Sequence, residues 1–345
     1  MIKAAVLGAT GYAGAELVRI LSLHKDASLV WLASHSYSGK KFSDVYPMMK
    51  GRCDLVLQDD DIAKASENAD VIFLALPAGL AAQSVTPELI RSKVIIDLGA
   101  DFRLKDRSTY EAWYHNQAAD DDLLAEAVYG LVELHRTEIK SASLIANPGC
   151  YTTCSILTLY PLVRNRLIET DTIVIDAKSG TSGAGRSSKS DNLFCEVNEN
   201  IKPYGVAAHR HTPEIEQELS LAAGEDIILQ FTPHLVPMNR GILATCCARL
   251  RPGVGEDEVK AAYSECYGNE RFIRLCSDIV QTKNVKGTNY ADISFRIDRR
   301  TGNIIAMGCI DNLVKGAAGQ AVQNMNVRFG CDEAEGLDFL SACTF

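Results

Sequence analysis

In "SLIANPGCYTTCSILTLYPLV", residues 143–163, a cysteine stands directly after Asn147-Pro148-Gly149 and directly before an apolar, helix-length segment. Cys150 is thereby set at a predicted helix N-terminus, where the positive end of the helix dipole and unpaired backbone N–H groups favour thiolate over thiol. A thiolate so placed is a nucleophile for an acyl carbon. The rival reading is a small buried hydrophobe, because free cysteines are among the most buried residues.

A second group lies in "GVAAHRHTPEIEQEL", residues 205–219. His209 and His211 are two apart and share one face of an extended chain. Thr212 is predicted to cap the helix that follows, with Pro213 at its first position and Glu214 in its first turn. Two histidines and a carboxylate held at a helix start suit acid/base work. Metal binding by His-x-His is the rival, and no third ligand is evident nearby in the sequence.

A third pattern is G-x-x-G-x-x-G at Gly8, Gly11 and Gly14. It follows an apolar run at 2–7 and opens a helical segment with Ala15, Leu17, Val18 and Leu21 at the right spacing. Glycines there let backbone approach a pyrophosphate, which the helix N-terminus stabilises, and Thr10, Tyr12 and Ala13 complete the expected cradle. The second predicted strand ends in "LASHSYSGKK", with Ser34, His35, Ser36, Lys40 and Lys41 and no carboxylate for a ribose 2′-hydroxyl. Hydroxyls and cations suit a 2′-phosphate, so NADP(H) is favoured over NAD; a solvated loop is the plain alternative.

Three further stretches bear on ligands. "DAKSGTSGAGRSS", residues 176–188, includes Ser179, Gly183 and Arg186, and either brings backbone close to a ligand or is a flexible loop. Arg103 in "DLGADFRL" follows a strand end on the presumed ligand side of the sheet, and Arg240 in "PHLVPMNRG" is a second candidate. Each is able to clamp a phosphate or carboxylate, and each is equally explained by a salt bridge. Asn147, Ser179, Arg103 and Arg240 form the expected substrate-binding set.

The elements that must position these groups follow from periodicity. Residues 2–7, 28–34, 69–76, 93–99 and 142–148 read as near-continuous apolar strands separated by helical or loop stretches, which implies a parallel sheet covered on both faces. After the Cys150 helix the pattern changes to longer strands at 172–180, 226–238, 241–250, 272–278 and 290–298, with helices near 213–223 and 256–266. The fold class is therefore α/β: a Rossmann-type, doubly wound dinucleotide-binding domain plus an α+β domain with a mixed sheet. A helical segment at 311–329 is long enough to return to the first domain, giving expected domains of 1–149 with 312–345, and 150–311.

Composition narrows the classes. In the 345-residue chain, 44 acidic against 35 basic residues give a net charge of −9, which argues against broad attraction to nucleic acid or anionic membrane. The longest apolar stretch, 71–82, contains Pro77 and is too short to cross a bilayer, which needs about 20 residues. Eleven scattered cysteines, with Met1 leading straight into a strand, read as free thiols in a reducing cytoplasm, and none has metal-type spacing.

With these motifs assembled, "GATGYAGAEL", "DLGADFRL", "VYGLVEL", "ANPGCYTT", "SGTSGAGR", "HRHTPEI", "PHLVPMNRGI" and "DNLVKGAAGQAVQN" resemble the successive motifs of the N-acetyl-gamma-glutamyl-phosphate reductase family, spread from residue 8 to 326. That family is similar in plan to aspartate-semialdehyde dehydrogenase. Thr152 stands where the family commonly has proline, and "YGLVEL" replaces a commoner "YGLPEL"; neither is expected to touch a catalytic group. The resemblance implies a cytoplasmic step of arginine biosynthesis, NADPH-dependent reduction of the acyl phosphate N-acetyl-L-glutamyl 5-phosphate, in a homodimer or homotetramer; the alternatives are reduction of aspartyl or aminoadipyl phosphate, and a cofactor-free Cys-His hydrolase or acyltransferase with a structural glycine turn. Fitted to that reaction, Cys150 is the expected nucleophile, His211 the favoured acid/base with His209 as second choice, Glu214 the group orienting that ring or the substrate, Arg103 the group on the substrate phosphate and Asn312 a residue near the nicotinamide.

Overall fold

The computed structural model describes residues 1–186 and 190–341; Ser187 and Ser188 of the glycine-rich stretch lie outside the described residues. The chain divides into two compact units, Met1–Pro148 with Ala317–Asp338, and Gly149–Gly316 with a short stretch from Phe339. The division falls at Pro148/Gly149 and again at Gly316/Ala317, so Asn312 belongs to the second unit.

In the first unit β1 (Ile2–Leu7), β2 (Ala27–Leu32), β3 (Val71–Leu74), β4 (Val94–Asp97), β5 (Val128–Tyr129) and β6 (Leu144–Ala146) form a sheet in the order β2-β1-β3-β4-β6-β5. All its pairings are parallel. The strands read as unbroken apolar runs because both faces are covered: every residue of β3 and β4 is buried. The Tyr12–Leu21 helix buries Leu17, Val18, Ile20 and Leu21, each such side chain stabilising the unit by about 1.5–3 kcal/mol relative to exposure.

The C-terminal helix, Gly319–Phe329, buries polar residues as well as apolar ones. Gln320 Nε2 and Asn324 Nδ2 both donate to the Gly130 carbonyl at 2.8 Å, and Asn324 Nδ2 also donates to Asn147 Oδ1 at 3.1 Å. Burial of these amides is tolerated because each satisfies a group in the same unit. The predicted single helix over 311–329 begins instead with a π-helical turn, Val314–Ala318.

In the second unit β7 (Val174–Ser179), β8 (Lys202–Pro203), β9 (Gln230–Leu235), β10 (Ile242–Arg249), β11 (Ile273–Leu275), β12 (Ala291–Asp298) and β13 (Asn303–Ile310) form a sheet in the order β11-β12-β13-β10-β7-β9-β8. It is mixed: β7/β9 and β11/β12 are parallel, and the other pairings are antiparallel. β13 is a strand that the sequence reading passed over, although it is central and pairs with both β10 and β12 along its full length. The turn before it, with Gly302 at φ +74°, was the available signal. The Cys150–Arg164 helix packs against β10 and β13, and the Thr212–Ala223 helix packs against it.

Candidate active site

In the first unit the glycine turn separates into parts with different reasons. Gly8 has φ +72°, and a Cβ there would meet the Ala75 carbonyl oxygen at 2.3 Å. A Cβ on Gly14 would meet the Gly8 oxygen at 2.3 Å. Both glycines are therefore demanded by the protein's own backbone. Gly11, the residue capping the Tyr12–Leu21 helix, has only the Gly8 oxygen within reach, at an ordinary 3.5 Å. The first turn, Tyr12, Ala13 and Gly14, carries no acidic residue, and an α-helix offers its first N–H groups no internal acceptor. This end accordingly fits a pyrophosphate, which the N–H groups of Tyr12, Ala13 and Gly14 would hold.

Around that turn the two serines part ways. Ser34 is buried and its hydroxyl lies 2.6 Å from that of Thr10, so both are engaged with each other. Ser36, together with His35 and Lys40, is exposed beyond the strand end. Sequence reasoning missed Asp60, whose Oδ1 accepts from the Gly8 N–H at 3.1 Å, and Tyr46, whose hydroxyl donates to the Thr10 carbonyl at 2.8 Å.

Arg103 and Asn147 are buried in the same unit and bound to backbone. Arg103 donates from Nε to the Asn147 carbonyl and from Nη2 to the Leu98 carbonyl, both at 2.8 Å. Asn147 donates from Nδ2 to the Ala317 carbonyl at 3.1 Å and accepts from Asn324 on Oδ1. Nearby, Asp97 is fully buried at the end of β4; it accepts from the Gly99 N–H at 2.9 Å. Burial, then the adjacent Asp101 carboxylate, push the Asp97 carboxyl up to about 7.

In the second unit Cys150 is the first residue of its helix and half-buried. The preceding backbone is held tightly: the Gly149 N–H donates to Glu214 Oε1 at 2.9 Å, and the Thr152 and Thr153 hydroxyls donate to the Gly149 carbonyl at 2.6 and 2.9 Å. Thr152 also donates to Glu214 Oε1 at 2.8 Å. The expectation that Thr152 touches no catalytic candidate is thus corrected, because the helix register brings its hydroxyl onto Glu214. Glu214 is 1% exposed and ties two helix N-termini together. Cys154, one turn on, is buried, and burial raises its thiol well above the ordinary range.

His209 and His211 meet edge to face with ring centres 4.8 Å apart. Tyr151, next to the cysteine, contacts both, at 5.6 and 6.0 Å, and Tyr204 and Phe231 close around His209 at 5.4 and 5.3 Å. The Tyr204 hydroxyl donates to that of Tyr151 at 3.1 Å. His209 Nδ1 accepts from the His211 backbone N–H at 3.1 Å, which assigns its proton to Nε2. Desolvation, then the Arg210 charge, pull His209 down to about 4, so it is neutral at physiological pH. The predicted Thr212 cap is corrected: His211 occupies the capping position, its side chain does not cap the helix, and Pro213 falls in the first turn.

The glycine-rich stretch approaches the protein's own chain. A Cβ on Gly180 would lie 2.8 Å from the Arg240 nitrogen, and Gly180, Thr181 and Ser182 donate N–H groups to Gly241, Met238 and Asn239. Asn312 staples these loops, accepting from the Gly241 N–H at 2.8 Å and donating to Ser182 Oγ at 3.0 Å, with Gly183 against its amide. Ser179 is buried and donates to the Gly180 carbonyl. Arg240 is paired through Nε and Nη2 with the fully buried Asp311, whose carboxylate also accepts from the Gly287, Leu313 and Val314 N–H groups. Among the described residues no three His, Cys, Asp or Glu side chains gather as a metal site, and no helix is long and apolar enough to cross a membrane.

Comparison with known proteins bears directly on these two units. The family model described as semialdehyde dehydrogenase, NAD binding domain, matches residues 3–142, and that described as semialdehyde dehydrogenase, dimerisation domain, matches 150–312. Solved structures of similar fold include aspartate semialdehyde dehydrogenase II from Vibrio cholerae (TM-score 0.70, 17% identity, 96% of this chain and 98% of that one). Another is aspartate semialdehyde dehydrogenase with NADP from Candida albicans (0.68, 18%, 95% and 98%). N-acetyl-gamma-glutamyl-phosphate reductases from Lachnoclostridium phytofermentans and Lachnospira eligens are 54% and 55% identical, each over 98% of both chains. That of Campylobacter jejuni subsp. jejuni serotype O:6 is 52% identical over 99% of both. With both family models matched and identity above one half over nearly the full length of these relatives, the chain belongs to the N-acetyl-gamma-glutamyl-phosphate reductase family.

Proposed function

We propose that this protein is an NADP-dependent oxidoreductase of arginine biosynthesis that converts N-acetyl-L-glutamyl 5-phosphate to N-acetyl-L-glutamate 5-semialdehyde and phosphate. The observation that carries the reading is Cys150, half-exposed at the start of its helix, with Tyr151 beside it packed on both histidines. The Cys150 thiolate attacks the acyl carbon, N–H groups of the helix's first turn hold the developing oxyanion, and phosphate leaves to give a thioester. NADPH, when bound at the Gly8–Gly14 turn, supplies the hydride that reduces that thioester. His211 moves the proton as aldehyde and thiolate separate, with His209, neutral and packed against its ring, as the second choice for that role. Arg103 and Arg240 are the guanidinium groups assigned to the substrate's anionic ends, and Ser179 and Asn147 complete its surroundings by holding backbone. The unit Met1–Pro148 with Ala317–Asp338 is assigned to the cofactor and Gly149–Gly316 to acyl transfer and self-association, in a cytoplasmic homodimer or homotetramer.

The reaction is tested in reverse, with purified protein, NADP and inorganic phosphate, by the near-ultraviolet absorbance of the reduced nicotinamide. N-acetylglutamate semialdehyde and aspartate semialdehyde are offered in parallel. A rise with the acetylated aldehyde, abolished by Cys150→Ala, is expected. A rise only with aspartate semialdehyde would keep the mechanism and change the substrate, and no rise with either would overturn the proposal.

A further inference from the structure

We propose that Gly316 is a positioning residue for the Cys150 nucleophile, an inference that rests on the reading of Cys150 given above. Gly316 sits in the π-helical turn Val314–Ala318, and its N–H donates to the Asp311 carbonyl at 3.0 Å, five residues back. Single π turns inside helices concentrate at functional sites. A Cβ on Gly316 would lie 2.7 Å from Cys150 Cβ and 3.2 Å from Cys150 Cα, with Ile310 Cδ1 at 3.3 Å. Real Cβ atoms do not approach at the first of these distances, and no side-chain rotation relieves it, because Cα and Cβ move only with the backbone.

Neither side yields easily. On the cysteine side the Gly149 N–H is held by Glu214 and its carbonyl by the Thr152 and Thr153 hydroxyls. On the other side the turn follows Asp311, whose carboxylate accepts from Arg240 and from the Gly287, Leu313 and Val314 N–H groups. Alanine has the higher helix propensity, so the demand for glycine at position 316 is steric. The bare Cα of Gly316 thus sets how far the Cys150 Cβ projects, and with it the place of the sulfur.

The test is Gly316→Ala in the full chain, read first by chemistry independent of turnover. The alkylation rate of Cys150 by iodoacetamide is measured by peptide mass spectrometry across a pH range, with exposed Cys195 as internal reference. The expected result is a change in the Cys150/Cys195 rate ratio of about fivefold or more. A fall in kcat of about tenfold or more, with KM within about threefold, should accompany it, since small misplacements of reacting atoms are costly. An unchanged rate ratio overturns the proposal, whatever kcat does. If turnover is absent even in the parent protein, the functional reading fails while the alkylation ratio still decides this one. Folding is covered by the stability cycle with Cys150→Gly: the cost of Gly316→Ala should shrink once the Cys150 Cβ is gone. An equal cost in both backgrounds, or failure of both to fold, places the clash elsewhere and also overturns it.

Discussion

Asp97 offers the sharpest quantitative test of the electrostatics. Its carboxyl is fully buried, accepts the Gly99 N–H on Oδ1, and among the described residues has no hydrogen-bond partner on Oδ2. Its affinity for a proton is raised from 3.8 to about 7, first by desolvation and then by Asp101. The folded chain therefore keeps a proton that the unfolded chain releases between those values. Unfolding releases a proton in that window, so stability falls as pH rises from about 4 to about 7 and levels off above. At about 1.4 kcal/mol per pH unit, the full span corresponds to roughly 4 kcal/mol. Asp97→Asn keeps the shape of the neutral acid and does not titrate. The variant should match the parent near pH 4 and exceed it at pH 8 by about 2–4 kcal/mol, the lower figure applying if the new amide hydrogens lack acceptors. For a unit of this size that is on the order of 5–15 °C in melting temperature. The assay is a pair of thermal melts at half-unit steps of pH, taking the difference so that other carboxylates cancel. A difference that stays constant across the range would refute the reasoning, because Asp97 would then not titrate within it.

Other outcomes follow from the same geometry. Gly11→Ala should fold normally and lose NADPH affinity in fluorescence titration, whereas Gly8→Ala and Gly14→Ala should lower the melting temperature, because their added Cβ atoms meet backbone oxygens at 2.3 Å. His211→Ala should cost about a hundredfold or more in kcat, in the range of general acid/base catalysis. His209→Ala should cost less, and because His209 titrates near 4, the pH–rate profile above 5 should not carry its ionisation. Asp311→Ala should destabilise the chain by about 3–5 kcal/mol in denaturant melts, since it leaves the partly buried Arg240 guanidinium and three backbone N–H groups without their carboxylate.

Much of the fold was legible because parallel strands buried on both faces read as apolar runs, as β3 and β4 do. β13 escaped because Asn303–Ile310 lies between a recognised strand and a recognised helical motif, and its membership in the sheet comes from pairing with β10 and β12. The short β5 and β8, two residues each, have too little sequence to carry a period. The histidine pair was visible as His-x-His, but the ring of Tyr151, Tyr204 and Phe231 was not, because those residues come from three separate parts of the chain.

By itself the sequence determined the local geometry of the candidate residues: a thiol at a helix start, glycines between the first strand and first helix, two histidines before another helix. These are legible because spacing along a strand or helix fixes direction over a few residues. Only the tertiary structure decided what those groups face. It turned Gly8 and Gly14 toward the protein's own backbone and left Gly11 open, and spent Ser34 on Thr10. It made staples of Asn147 and Asn312, and set Gly316 against Cys150. The partners in these contacts are mostly far apart in sequence, and burial is what gives each contact its strength and its cost.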